Sequence, residues 1–549
     1  MEFLRLLQTE AVLNLRRVLA IAIVAGLSNA AVLALINAAA STKSGERGRT
    51  LLLGIMFITV VAAYTVSQRF VMIASAKEVE RIIHRIRCRL IEEVRHCELP
   101  AIELLGPTRI FNGLSKEIQT IAQSGNIMGI VTQMAVLLVF ATFYLMWVSM
   151  TAFLLALGFI AVASILYFAR MSRMNRAIHD AATAEYGLHE YLTAVLDGFK
   201  EIKLNDRRSR ELAADVVNAS LHAADARVKS QSEFGQNFVF TQDVFFLLLG
   251  TIVFIVPMLS DTSSDTLVKA TAAVLFLFAP ISGVVTSVPV FANANASAAS
   301  INELERLLTQ SNAGAARTED QAPQEARQSF REIELRDVMF RFGDGENEQP
   351  FQVGPINLTF RAGETVFISG GNGSGKSTLL RLLTSLYSPQ QGTIFLDGRP
   401  VGRSDTESYR TLFSAVFGDY HVFKRLYGID PETLAEVPAL LETFELTDKT
   451  GLVGNEFSTI GLSAGQRKRL GLIVAILEHR PICVLDEWAA DQDPIFRRKF
   501  YTELIANMKA AGTTVICVSH DDRYYDLADR RVHMEEGRIA MDTREKFDA

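Results

Sequence analysis

Cysteine is scarce. The chain has four in 549 residues, Cys88, Cys97, Cys483 and Cys517. No two stand at a C-x-x-C or metal-ligand spacing, so no disulfide framework or thiolate metal site is indicated. Cys483 and Cys517 fall in apolar, strand-like runs, where a thiol serves as a small core side chain. An excess of positive charge is also missing. The 55 Lys and Arg stand against 61 Asp and Glu, a net charge of −6, and nothing in that balance points to a nucleic-acid partner. Large apolar residues are almost absent from "SNAGAARTEDQAPQEARQS" at 311–329, which reads as a linker.

Apolar sequence, by contrast, is abundant. Hydrophobic residues make up 49% of the chain and the mean hydropathy is +0.20, high for a soluble protein. The excess lies in the first 300 residues. The length is too great for one core, and the change of character divides the chain into 1–310, a linker at 311–330, and 331–549. Crossing a hydrocarbon core takes about 20 apolar residues. Six runs reach that length, at roughly 18–38, 51–74, 127–148, 151–169, 238–258 and 267–291. The third and fourth are joined by almost nothing, which predicts a tight helical hairpin. The first run has Arg16 and Arg17 before it and Ala38, Ala39 and Ala40 after it, as a signal peptide would. It is too long for a signal core and more runs follow, so it reads as a retained span.

Orientation follows from Lys and Arg. Three precede the first span, eight lie in loop 75–126 and ten in loop 170–237; the alternate loops carry three, none and none. The N-terminus, both long loops and everything after span six are therefore expected in the cytoplasm. Both long loops repeat apolar residues at helical spacing. They read as spans continuing as helices, each interrupted by a breaker cluster at 105–113 or 196–206. Polar residues inside spans are costly and mark candidate cargo contacts. Asp243 and its neighbour Gln242 lead, with Gln133, Asn29 and Asn37 behind; for the amides, hydrogen bonding between helices is at least as good a reading. Pro280 and Pro289 are candidate kinks in span six.

Beyond the linker, short apolar runs ("ETVFIS", "TIFLD", "ICVLD", "TTVICVS") alternate with helical stretches, which predicts an α/β domain with a largely parallel sheet. The stretch "GGNGSGKST", 370–378, fits G-x-x-x-x-G-K-[ST] with Gly370, Gly375, Lys376 and Ser377. Asn372, Gly373, Ser374 and Thr378 complete it. A strand precedes it and a helix follows, the context of a phosphate-binding loop. Backbone N–H groups and a helix N-terminus then face phosphate oxygens. Lys376 would bridge the β- and γ-phosphates and Ser377 would ligate Mg²⁺. Asp486, ending "ICVLD" about 110 residues on, would hold Mg²⁺ as well. Glu487, one residue further, is placed to polarise an attacking water.

The stretch "LSAGQRKRL", 462–470, resembles the signature of ATP-binding cassette proteins, usually Leu-Ser-Gly-Gly-Gln, with Ala464 in place of the first glycine. Physically it is a helix start capped by Ser463, with free N–H groups for a phosphate. The resemblance implies that Ser463, Gly465 and Gln466 complete the ATP site of a partner cassette, so that two cassettes enclose two nucleotides. It further implies that His520 in "VICVSHD" contacts the γ-phosphate and that Phe342 in "FRF" stacks on adenine. The family's loop glutamine is missing from "SAVFGDYHVF"; Gly418 stands there, and Asp419 is the candidate replacement on the metal. The familiar Asp-Glu-Pro-Thr-Ser-x-Leu-Asp reads "DEWAADQD". Asp493 keeps the place of the final Asp at the cassette interface, and Asp491 has no assigned role.

The whole chain resembles an exporter half-transporter: an all-α six-helix membrane domain with long cytoplasmic helical extensions, then an α/β P-loop cassette. In that layout the breaker clusters form coupling helices that press on the cassettes. "GFKEIKLN", "LSAGQRKRL" and "DEWAADQDP" look like the bacterial cyclic-peptide exporters, which include those of the pyoverdine precursor and of syringomycin-type lipopeptides. The resemblance implies a homodimer in the bacterial inner membrane that uses ATP and Mg²⁺ to move a peptide outward by alternating access. The other readings are a lipid or lipopeptide flippase of the same architecture and an ATP-gated membrane regulator. The intact Glu487 and His520 disfavour the regulator. No protease domain precedes span one, which disfavours a leader-cleaving bacteriocin exporter.

Overall fold

The computed structural model describes residues 2–3, 5–6, 14–40, 47–259, 263–312, 329–342 and 351–544. The chain divides into two compact units. One is Met1–Arg95 with Gly106–Leu307; the other is His96–Leu105 with Leu308–Ala549.

The first unit is helical. Its long helices are Asn14–Ala40, Arg47–Arg95, Ile118–Val148, Met150–Asp197, Asp206–Gly250 and Ser264–Asn312. Among the described residues, six segments are long and apolar enough to cross a membrane, one for each expected span. Length alone shows that the helices outrun the bilayer. The 49 residues of Arg47–Arg95 rise about 73 Å at 1.5 Å each, against a hydrocarbon core of about 30 Å. Leu51, Ile58 and Val66 on that helix are more than two-thirds exposed, as suits side chains whose solvent is lipid.

Ser149 alone separates the third and fourth spans. Its extended backbone (φ −154°, ψ 113°) ends one helix, and its hydroxyl accepts from the Ala152 N–H to begin the next. The fifth span passes through a π-turn, Thr251–Ile255, just before Pro257. A proline ring collides with the carbonyl four residues back and offers no N–H, and the wider turn relieves both. The helix Ser264–Asn312 stays continuous through Pro280 and Pro289.

Close helix packing here depends on small residues. A Cβ built on Gly26 would lie 2.7 Å from Val136, and one on Gly125 would lie 2.7 Å from Val79. Of the polar span residues, Asn37 is buried and donates to the Tyr144 hydroxyl at 3.0 Å, which realises the helix-to-helix reading. Gln133 is buried, Asn29 and Gln242 are half-buried, and Asp243 is exposed.

The second unit is α/β. Strands β1 (Glu332–Arg341), β2 (Gln352–Arg361), β4 (Gln391–Leu396) and β5 (Arg399–Pro400) form an antiparallel sheet in the order β2-β1-β4-β5, with β3 being Thr365–Gly370. The remaining strands are β6 (Phe413–Val416), β7 (Leu452–Val453), β8 (Glu456–Phe457), β9 (Ile482–Asp486), β10 (Thr514–Val518), β11 (Arg530–Glu535) and β12 (Arg538–Arg544). A six-stranded sheet runs β12-β11-β3-β10-β9-β6, parallel except for the β11–β12 hairpin. Alternation along its inner strands feeds two cores. Val366, Ile368, Val484 and Ile516 face one, while Phe367, Cys483, Leu485 and Cys517 face the other. Both cysteines are thus core residues, and burial pushes the Cys483 thiol up to about 12.

Three expectations are corrected. "TIFLD" belongs to the antiparallel sheet as β4, paired with β1; an apolar run does not encode its partner. The breaker cluster expected at 105–113 as one short helix instead straddles the end of the helix Leu99–Leu105 and the start of Pro107–Asn112. Gly106 (φ +75°) and Pro107 end that helix and start Pro107–Asn112, so the breaker marks its boundary. The second short helix, Phe199–Leu204, lies within the predicted cluster. The membrane domain also yields a piece of itself, since His96–Leu105 clusters with the cassette. The linker lies outside the described residues except at its ends. There Ser311 and Asn312 complete a helix and Phe330 is buried in the cassette core.

The glycine contacts give a test. Gly125→Val would force Val79 aside, an overpacking worth about 1–3 kcal/mol. It is expected to lower the Tm of detergent-solubilised protein by several degrees. Gly54→Val, where nothing lies within 4 Å, is the control, and equal Tm values for the two variants would show that close approach is not needed.

Candidate functional site

β3 is buried along its whole length and delivers the chain into the loop 370–375. Gly370 has φ +150°, and a Cβ there would stand 2.3 Å from the Met534 carbonyl oxygen; Gly375, at φ +94°, would meet Val353. Only glycine serves at either position. Asn372 and Gly373 are exposed on the loop, Ser377 is exposed at the start of the helix Lys376–Leu383, and Thr378 is buried behind it.

Lys376 is buried at the loop's centre. Its Nζ donates to the carbonyls of Gly370 (3.1 Å) and Gly371 (2.9 Å) and lies 4.0 Å from Glu487 Oε1. Burial lowers its pKa, and Glu487 and Asp486 oppose that shift. Asp486 ends β9. Burial raises its carboxyl pKa, the Ser377 hydroxyl bond opposes this, and Glu487 adds to the rise. Asp486 Oδ1 and the Ser374 hydroxyl are both buried without a hydrogen-bond partner. Buried polar atoms of that kind call for a ligand. The Ser377 hydroxyl, bonded to Asp486, and that carboxylate's orphaned oxygen are also the hard oxygen donors that suit Mg²⁺. The residues present fit that ion.

Glu487 follows in a left-handed conformation, φ +48° and ψ +37°. For a non-glycine residue this costs about 1–3 kcal/mol and must be held by its surroundings. Its N–H donates to the Val518 carbonyl. Its Oε1 lies 3.0 Å from His520 Nε2, where β10 has just ended. Lys376, Asp486, Glu487 and His520, far apart in sequence, therefore converge. Phe342 sits at the end of β1 against Phe340, with ring centres 5.1 Å apart, and is partly exposed.

The helix Ala464–Leu477 begins with a reciprocal cap. Ser463 Oγ accepts from the Gln466 N–H at 3.4 Å, and Gln466 Oε1 accepts from the Ser463 N–H at 3.1 Å. A Cβ on Gly465 would stand 2.5 Å from the Asp491 carbonyl oxygen, so close approach of the 488–491 turn requires that glycine. Asp493 caps the helix Pro494–Lys499 through the N–H groups of Ile495 and Phe496 and pairs with Arg469 at 2.6 Å. These bonds, the Phe496 N–H foremost, hold its carboxyl below the usual range.

Sequence reasoning missed several residues. Trp488 is fully buried, donates to the Lys468 carbonyl at 2.8 Å and stacks on Phe500. Lys468 is buried too, and it pairs with Asp491 at 2.7 Å. The only signal was two cations, Lys468 and Arg469, opposite two acids, Asp491 and Asp493. Asp419 is exposed and pairs with Arg381 at 3.5 Å. Arg381 also reaches Glu103 (3.1 Å) and the Tyr387 hydroxyl (2.7 Å), and Arg410 pairs with Glu98. The helix that starts at Lys376 is thereby joined both to the Asp419 loop and to the segment His96–Leu105.

Comparison with known proteins agrees with this geometry. The ABC transporter family model matches residues 353–490. The ATP-binding protein SyrD of Pseudomonas syringae pv. syringae is 33% identical over 479 residues, covering 84% of this chain and 83% of SyrD. A probable syringafactin export ATP-binding/permease protein, SyfD, from strain B728a of the same pathovar is 32% identical over 225 residues. That match covers 38% of this chain and 34% of SyfD. Among solved structures, a bacterial Atm1-family ABC exporter with ATP bound superposes with a TM-score of 0.75 at 18% identity, over 96% of this chain and 95% of that one. The chain is a multi-pass membrane protein that binds ATP and couples its hydrolysis to transport, and it belongs to the ATP-binding cassette exporters, in the bacterial cyclic-peptide exporter subfamily.

Proposed function

We propose that the protein exports a peptide, a cyclic peptide or a pyoverdine-like siderophore precursor, from the cytoplasm across the bacterial inner membrane as a homodimer. The cargo class is supported by SyfD, whose description names syringafactin export, together with the extent of the similarity to SyrD. The similarity to SyrD spans 84% of the chain, while the cassette from 331 onward is only about two fifths of it. The shared sequence therefore includes most of the membrane unit, where a cargo is recognised. The Lys and Arg excess on the long loops supports a cytoplasmic cassette.

In this reading Lys376 exchanges its two loop carbonyls for the β- and γ-phosphate oxygens of ATP, and Phe342 stacks on the adenine. Ser377 and Asp486 would hold Mg²⁺, which would supply positive charge beside the phosphates; Asp419 is the candidate for a further contact to the ion. Glu487 takes the proton of the attacking water, and His520, 3.0 Å away, contacts the γ-phosphate. Ser463, Gly465 and Gln466 offer the N-terminus of their helix to the nucleotide of the partner cassette. Closure reaches the spans through Glu98 and Glu103, which Arg410 and Arg381 grip. Asp243, Gln242 and Gln133 line the cargo path.

Glu487→Gln keeps the size and loses the base. It is expected to bind ATP and to hydrolyse it about 100-fold to 1,000-fold more slowly, measured as phosphate release by purified protein beside nucleotide binding. Normal turnover would remove Glu487 as the base. Replacing both Glu98 and Glu103 by Ala should leave basal ATPase within about twofold, because surface ion pairs contribute little by themselves, while abolishing stimulation by cargo. Retained stimulation would place the coupling elsewhere.

The cargo itself is tested in vesicles with a cyclic peptide, a linear siderophore-precursor peptide and a lipid A-type lipid. Uptake and ATPase stimulation by a peptide support export. Stimulation by the lipid alone supports a flippase, and response to none supports a regulator. Asp243→Asn is expected to lower the peptide's stimulation more than the basal rate. Unchanged stimulation takes Asp243 out of the path.

A further inference from the structure

The general base is held from two directions. Its carboxylate meets His520 and faces Lys376. Its main-chain carbonyl accepts from the Ala490 N–H at 3.2 Å and from Lys468 Nζ at 3.1 Å. Lys468 is 7% exposed, and a buried ammonium persists only where charge and hydrogen bonds compensate it. The same Nζ lies 2.7 Å from Asp491 Oδ2. One ammonium thus clamps both ends of the turn 487–491.

The clamp acts where the backbone is strained. Glu487 stands in the left-handed region, and its carbonyl direction follows from its ψ. Without Lys468 the carbonyl keeps only the Ala490 N–H of its own turn, so ψ can relax together with that turn and the carboxylate shifts with the chain. The turn has other ties to the helix Ala464–Leu477: Trp488 donates to the Lys468 carbonyl, Gln492 donates to the Gly465 carbonyl, and Arg469 donates to Gln492. Those ties fix the turn against the helix. Lys468 alone among them touches Glu487.

We propose that Lys468, paired with Asp491, is a positioning residue for ATP hydrolysis: it anchors the Glu487 carbonyl and so keeps the carboxylate aimed at the attacking water. Lys468 touches neither substrate nor metal in this role. The proposal rests on the assignment of Glu487 as the base.

The test uses the full-length purified protein and reads ATPase kcat and KM, binding of a fluorescent ATP analogue, and Tm. Lys468→Met keeps the length of the stem and removes the charge. Misplacing a catalytic group by about 1 Å can cost about 100-fold. We therefore expect Lys468→Met to lower kcat about 10-fold to 100-fold, with KM and analogue affinity within about twofold. Lys468→Arg should recover most of the loss, and Asp491→Asn should fall between. A kcat within twofold of the parent, or an equal loss of analogue binding, overturns the proposal. If Lys468→Met fails to fold, Asp491→Ala carries the same readouts, since that side chain is 49% exposed.

A double mutant separates this idea from the reading beneath it. If Lys468 acts through Glu487, then Lys468→Met on the Glu487→Gln background adds nothing to the loss. A further additive loss overturns the proposal while leaving Glu487 as the base. Normal turnover by Glu487→Gln alone overturns the base assignment and the proposal with it.

Discussion

Lys376 is a buried cation whose nearest polar contacts are two carbonyl oxygens of its own loop. Carbonyl dipoles and two nearby carboxylates, Asp486 and Glu487, offset part of the desolvation but do not cancel it, and the ammonium remains less basic than in water. Such a group is stabilised when phosphate oxygens arrive. The rest of the cassette serves that placement. β3 must be buried on both faces to deliver Gly370, and β9 and β10 must lie beside it to deliver Asp486 and His520. The two cores on either side of the sheet keep the strand ends in register.

Burial sets opposite problems on the two sides of this site. Asp486 loses hydration and its carboxyl becomes less acidic, which a divalent cation beside it would reverse. Glu487 avoids burial, half-exposed at 42%, at the cost of a strained backbone. The acidic stretch 486–493 therefore shares its labour. Asp486 keeps a buried oxygen without a hydrogen-bond partner, Glu487 is half-exposed, Asp491 neutralises a buried lysine, and Asp493 caps a helix and pairs with Arg469. Trp488 supports all four by filling the space between the helix 464–477 and Phe500.

How much of this was legible in the sequence depended on the range of the signal. The phosphate loop was readable because its glycines, lysine and following helix are contiguous, and the six spans because bilayer thickness sets a minimum run of apolar residues. The Ser149 hairpin was readable for the same reason. β4 was misplaced because alternation reports burial and not partners; its partner β1 lies more than fifty residues away. The first short helix was misplaced because Gly106 and Pro107 are conspicuous, while the helix they terminate, Leu99–Leu105, looks like any apolar-acidic stretch. Lys468 was invisible for a third reason. In "RKRL" it resembles a solvated charge run, and only the fold brings Asp491 and the Glu487 carbonyl to it.

The segment His96–Leu105 belongs with the cassette although it is continuous with the membrane helices. By covalent continuity it hangs from helices far longer than the bilayer is thick, yet its side chains belong to the cassette. Leu99 packs on the cassette core, Glu98 binds Arg410, and Glu103 binds Arg381 and Tyr387. Arg381 lies on the helix that Lys376 begins, and it also holds Asp419, beside the place where the family's glutamine is absent. A glutamine amide offers only neutral hydrogen bonds, whereas an Asp–Arg–Glu chain offers two charged contacts that share one guanidinium. The Arg381 guanidinium therefore cannot leave its place without either carrying Glu103 and Asp419 or leaving a charge unpaired. Arg381 thus ties the phosphate-binding helix to Asp419 on one side and to Glu103 on the other.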